Sequence, residues 1–169
     1  MNKALLLLAS VMFLFASCAD EKLEEDDGDR IIWDFINYSV IFKVVDQSGH
    51  DLLNPETEEN ILDNDIVVKY DGKEFNRKTP KYNMPDPLDL RTYQLEEGSN
   101  ALFFGEFSPE SNYRDEKFTI EWGDGTQTDI KFDLYITWNE KRTDPSVHKI
   151  IYVDGKRYSD ESFVVTITK

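Results

Sequence analysis

"IKFDLYITW", Ile130 to Trp138, is the stretch whose reading decides the fold. Ile130, Phe132, Leu134, Ile136 and Trp138 occupy alternate positions, and Lys131, Asp133, Tyr135 and Thr137 lie between them. Along a strand, alternate side chains point to opposite faces, so the five apolar residues share one side. A helix would scatter them around its circumference. The stretch reads as a strand with one face turned to a core.

The same period recurs on both sides of it. In "KFTIEW" (Lys117 to Trp122), Phe118, Ile120 and Trp122 oppose Thr119 and Glu121. In "YSVIFKVVD" (Tyr38 to Asp46), Tyr38, Val40, Phe42 and Val44 form an apolar face. The opposite face of that stretch is mixed, as expected of a strand near the centre of a packed sheet. Phe163, Val165 and Ile167 alternate with Val164, Thr166 and Thr168 in a β-branched terminal strand. "VVKYDGKEF" (Val67 to Phe75) and "IYVDGKRY" (Ile151 to Tyr158) each set Asp-Gly between apolar or aromatic runs. Both read as hairpins, the glycine supplying the positive φ of a tight primed turn.

Helical signals are few. "NPETEEN" (Asn54 to Asn60) opens at most one turn, with Asn54 as cap and Pro55 at the first helical position. Pro80, Pro85 and Pro87 interrupt any ladder in residues 80–100, which read as a long irregular connection. His50 and His148 each fall in an expected turn. The pattern predicts an all-β chain: a single immunoglobulin-like antiparallel β-sandwich of about 7–9 strands over residues 31–169. A barrel is the alternative.

The chain has 169 residues, 34 acidic and 19 basic, for a net charge of −15. Its one cysteine, Cys18, leaves no disulfide, so the fold must rest on its core. So acidic a surface disfavours nucleic acid as a partner. At the N-terminus, Lys3 precedes an apolar run from Ala4 to Ala16. That run falls short of the roughly 20 residues a membrane-spanning helix needs and suits a secretory signal. Leu14-Phe15-Ala16-Ser17-Cys18 resembles the lipobox of bacterial lipoproteins. The resemblance implies a signal peptide over residues 1–17, cleavage before Cys18 and acylation (palmitate or a similar chain) of its thiol. It also implies more than one chain on that cysteine, which suits durable anchoring to a membrane, where a single chain is marginal.

Residues 18–30 then form a lipidated cysteine and tether. Asp20, Glu21, Glu24, Glu25, Asp26, Asp27 and Asp29 outnumber Lys22 and Arg30, and Leu23 offers little to fold around. Like charges keep such a segment extended and solvated, with a reach on the order of 40 Å. "CADEKLEEDDGD" also resembles the export signal of Bacteroidetes lipoproteins, which implies display on the outer face of the outer membrane. The inner leaflet of that membrane is the alternative. Asp26 to Asp29 lacks the spacing and distant glutamate of an EF-hand loop.

No nucleophile elbow, phosphate-cradling loop or His-Glu-x-x-His motif is present. Neither histidine is assigned a catalytic or metal-binding role, and no cofactor or metal is expected. "WGDGT" (Trp122 to Thr126) resembles the turn of polycystic-kidney-disease-type domains, which implies an extracellular sandwich. "VVDQSGHDLLNPETEENILDNDIVVKYDGKEF" (Val44 to Phe75) resembles a group of uncharacterised Bacteroidetes lipoproteins, through Asp46, Gly49, Asp51 to Pro55, Tyr70 and Gly72. That implies a secreted β-domain and assigns no activity.

A sugar site stacks a ring on an exposed aromatic face and adds polar hydrogen bonds. Trp33, at the tether–domain junction, and Tyr82, Tyr93 and Tyr113, in expected loops, are the candidate ligand contacts. Trp122 and Trp138 end apolar faces and are assigned to the core. Asp63-Asn64-Asp65 reads as a solvated turn, with oxygen ligation of calcium as the lesser alternative. The expected function is a lipid-anchored envelope protein, facing the cell exterior, that binds a glycan or host macromolecule without catalysis. A structural or accessory subunit of an outer-membrane complex is the alternative, and a small hydrolase ranks below both.

Overall fold

In the computed structural model, which describes residues 33–77, 88–158 and 163–169, the alternating stretch around Ile130 lies within a 12-residue strand. Ten strands follow one another among the described residues. They are β1 (Tyr38–Val45), β2 (Val67–Tyr70), β3 (Lys73–Asn76), β4 (Leu90–Gln94), β5 (Asn100–Phe107), β6 (Tyr113–Glu121), β7 (Gln127–Trp138), β8 (Pro145–Val153), β9 (Lys156–Arg157) and β10 (Val164–Thr168). One sheet has the order β10-β1-β5-β4 and the other β3-β2-β6-β7-β8-β9. A 3-10 turn, Pro109–Ser111, links β5 to β6 and is capped by the Ser108 hydroxyl, which accepts from the Glu110 amide.

The two sheets pack face to face, as the alternation requires. Val40, Phe42, Val44, Leu102, Phe104 and Val165 from the first meet Val68, Phe118, Ile120, Ile130, Phe132 and Leu134 from the second, all of them buried. Aromatic rings join the layers. Centroids lie 6.0 Å apart for Phe42–Phe118, 5.0 Å for Phe104–Phe118, 4.9 Å for Phe107–Phe132 and 5.9 Å for Phe132–Phe163. Those are favourable spacings for edge-on and tilted pairs.

The all-β sandwich is therefore as expected, with three differences of detail. β1 and β10 run parallel, Ile41 opposite Val164 through Val45 opposite Thr168. Parallel neighbours cannot be joined by a hairpin, and here nearly the whole domain separates the two. The strands divide between the sheets differently from the A-B-E-D and C-F-G sets of immunoglobulin domains, so the likeness is one of layering. Part of the stretch read as irregular is strand: Leu90, 0% exposed, pairs with Phe104. The prolines at 80, 85 and 87 precede β4, outside the described residues, and do not interrupt it.

Both Asp-Gly hairpins form. Asp71 and Gly72 have φ of 49° and 70°, and Asp154 and Gly155 have 48° and 77°, the double positive φ of a type I′ turn. "NPETEEN" makes successive turns, not a helix. The Thr57 amide donates to the Asn54 carbonyl at 3.0 Å, the Asn60 amide to the Thr57 carbonyl at 3.2 Å, and Asn54 Oδ1 accepts from the Glu56 amide. His148 lies within β8, opposite Tyr135, where a turn was expected.

"WGDGT" turns the chain from β6 into β7. Asp124 Oδ1 accepts from the Thr126 amide at 2.8 Å and hydroxyl at 2.6 Å, and buried Trp122 Nε1 donates to Thr128 Oγ1 at 2.9 Å. Lys169 Nζ lies 2.7 Å from Asp124 Oδ2, tying β10's end to this turn. Lys169 first, then Thr126, holds the Asp124 carboxyl well below the usual range. A carboxylate lowered in the fold adds stability that is present above its unfolded pKa near 3.9 and is lost as the pH falls through the folded value. Because the pair is partly solvated, Lys169→Met should cost about 1 kcal/mol or less at pH 7. Urea midpoints should show that difference shrinking as the pH drops below about 4.

Candidate binding site

β7 outruns the core that its apolar face serves. Leu134 is buried opposite Tyr113, the first residue of β6. Beyond it Ile136 is only half-buried, and Trp138 is 41% exposed. The alternation that put Trp138 on the inward face is correct, but its assignment to the core is not, because the sandwich ends before it. Trp122, one turn away from the other end of β7, is 1% exposed as expected.

Two rings from the segment leading into β1 lean on Trp138. Trp33 lies 6.2 Å from it at 75° and Phe35 6.1 Å at 89°. Edge-to-face contact satisfies the ring quadrupoles while leaving ring surface uncovered. Trp33 remains 39% exposed and the adjoining Ile36 70% exposed. The result is an aromatic platform at one end of the sandwich.

The β7–β8 turn that follows Trp138 is closed by its own hydrogen bonds. The Asn139 amide donates to the Asp144 carbonyl at 3.2 Å, and its Oδ1 accepts from the Thr143 amide at 2.9 Å. Its Nδ2 donates to Thr143 Oγ1 at 3.1 Å. Arg142 takes the left-handed conformation that closes the loop, with φ of 54°. Glu140, Lys141, Arg142 and Asp144 are exposed along it, offering donors and acceptors next to the strand that carries Trp138.

The other expected contacts lie elsewhere. Tyr93 is in β4, 40% exposed, with its ring 5.2 Å from Phe103 and its hydroxyl accepting from Arg91 Nη1 at 3.3 Å. It belongs to the first sheet, and Trp138 to the second. Tyr113 is a strand residue, not a loop residue. Its half-buried ring packs 5.3 Å from Phe107 and 5.8 Å from Phe132, which makes it part of the core. Tyr82, Cys18 and the tether acids lie outside the described residues.

Each histidine has a local side-chain partner among the described residues. His50 Nδ1 sits 2.7 Å from Asp46 Oδ2 in a turn, and that contact is the main reason the Asp46 carboxyl is lowered. His148 stacks on Tyr135 at 4.7 Å, with Nε2 2.7 Å from the Thr137 hydroxyl. Among the described residues no group of three or more His, Cys, Asp or Glu side chains is placed to hold a metal ion. That includes Asp63 and Asp65. No family model, curated protein or solved structure matches the chain.

Proposed function

We propose that this chain is a lipid-anchored outer-membrane protein, displayed on the cell exterior, that binds a glycan on the Trp33–Trp138 platform without catalysis. The carrying observation is the contrast among its three tryptophans. One fills the core at 1% exposure, while the other two meet edge to face at one end of the domain, each about two-fifths exposed. Folding alone gives little reason to leave two large apolar rings in water; a sugar face or partner that covers them would bury that surface. Anchoring and display rest on the lipobox-like Leu14 to Cys18 and on the acidic run that follows it.

A second reading, an accessory subunit of an outer-membrane complex, is favoured by Ile36. An exposed isoleucine next to Phe35 in the chain suits a protein partner better than a hydroxyl-rich sugar.

The contact is tested by retention on immobilised neutral polysaccharides. At least one matrix should retain the native protein and release the Trp33→Ala/Trp138→Ala variant. Retention of neither form, with capture of an envelope protein by crosslinking, would favour the second reading. Cys18→Ala should abolish labelling by radioactive palmitate, and undiminished labelling would refute the lipid anchor. Protease added to intact cells should remove the native domain and spare a variant whose seven tether acids are neutralised.

A further inference from the structure

The outer face of the second sheet carries a pattern that a net charge of −15 conceals. Strand register sets Lys117 of β6 opposite Lys131 of β7, Lys131 opposite Tyr152 of β8, and Tyr152 opposite Arg157 of β9. Their chain neighbours Phe118, Ile130, Phe132 and Ile151 are buried, so the row faces away from the core. At the usual strand spacing it spans about 14 Å.

Like charges directly opposite one another destabilise a sheet, and the Lys117–Lys131 pair is only partly compensated. Lys131 Nζ lies 2.9 Å from Asp115 Oδ1 and 4.0 Å above the Tyr152 ring. Lys117 and Arg157, towards the ends of the row, are exposed and make no ion pair among the described residues. The adjoining row is Lys69, Thr119 and Asp129. There Lys69 is held by Glu121 at 2.7 Å and Glu74 at 3.6 Å, and the Thr119 hydroxyl donates to Asp129 Oδ1 at 2.8 Å. A shallow depression of about 570 Å³ is lined by Lys69, Lys117, Thr119, Asp129, Lys131 and Tyr152, and Arg157 continues the first row just beyond it.

We infer that this face binds an acidic polysaccharide, one bearing carboxylate or sulfate groups on some of its units. The site is separate from the Trp33–Trp138 platform and does not depend on it. Lys117 and Arg157 meet the anionic groups. Asp129, Thr119 and Tyr152 exchange hydrogen bonds with sugar hydroxyls. The carboxylates of Asp129, Glu121, Glu74 and Asp115 around the depression select against nucleic acid, which presents a phosphate at every residue. A polysaccharide with hydroxyls between its charges fits the mixture.

The test is native electrophoresis of the full chain through gels containing dextran sulfate, polygalacturonate, neutral dextran or single-stranded DNA. At least one acidic polysaccharide should slow the native chain at least twofold relative to neutral dextran. Lys117→Ala/Arg157→Ala should remove most of that retardation, and the charge-keeping Lys117→Arg/Arg157→Lys variant should keep it. Trp33→Ala/Trp138→Ala should also keep it, which separates this site from the platform. Dextran sulfate and polygalacturonate distinguish a sulfate from a carboxylate ligand. Free migration in both acidic gels, undiminished retardation of the alanine variant, or equal retardation by DNA would overturn the inference.

Discussion

Phe132→Ala should lower the stability of the domain by about 3–5 kcal/mol. Phe132 is fully buried at the centre of the inward face of β7. Its ring meets Phe107 at 4.9 Å, Tyr113 at 5.8 Å, Phe118 at 6.0 Å and Phe163 at 5.9 Å. These neighbours come from both sheets and from the entry to β10. Truncation removes the transfer energy of the ring and opens a cavity that aromatic neighbours held from several directions cannot fill. Against a total stability of roughly 5–15 kcal/mol, that loss would leave many molecules unfolded at modest urea. Trp138→Ala removes a larger side chain from the same strand face, yet should cost less, about 1–2 kcal/mol, because that residue is 41% exposed and packs only on the rings of Trp33 and Phe35 at the edge of the domain. Urea midpoints of the two variants compare these directly. Similar losses would mean that the sandwich does not end where the burial of β7 says it does.

Gly105→Ala should cost about 2–5 kcal/mol, combining left-handed strain with overpacking. Gly105 has φ of 75°, and a Cβ there would collide with the Phe107 ring. That ring cannot give way easily. It is 0% exposed and packed 5.8 Å from Phe104, 5.9 Å from Tyr70 and 4.9 Å from Phe132. The position also lies by the register shift between β1 and β5, where the Ser39 hydroxyl donates to the Gly105 carbonyl at 2.6 Å. The glycine lets β5 bend there and turn Phe107 inward. Gly72→Ala is the control: its φ is 70°, but nothing lies within 4 Å of the added carbon. It should cost only the backbone strain, about 1–2 kcal/mol. Thermal melts that fell equally for both would show that Phe107 repacks freely.

Strand existence was legible because it rests on a local period. Phe118–Ile120–Trp122 and Val40–Phe42–Val44 are buried as their alternation requires, and both Asp-Gly turns form because Gly tolerates what their geometry demands. What alternation cannot carry is the extent of the facing layer. It placed Trp138 on the inward face, but only the start of β6 opposite Leu134 shows that no core remains to receive it. β4 was hidden because its short Leu90–Gln94 pattern follows three prolines. The β1–β10 parallel pair and the Lys117–Lys131–Tyr152–Arg157 row depend on register between distant or successive strands, which no single stretch encodes. Of the expected contacts, Trp33 meets an exposed partner, Tyr93 lies on another sheet and Tyr113 is spent in the core.

Tryptophan emission tests the platform most directly, since Trp122 is a buried internal reference for Trp33 and Trp138. The native protein would be titrated with soluble glucans, mannans and mucin oligosaccharides while its spectrum is recorded. At least one titrant should shift the emission to shorter wavelength in a saturable manner as the two exposed indoles lose water. Trp33→Phe/Trp138→Phe, left with Trp122 alone, should show no shift. A native spectrum unmoved by every titrant, or an equal shift in the double variant, would contradict glycan binding at Trp33 and Trp138.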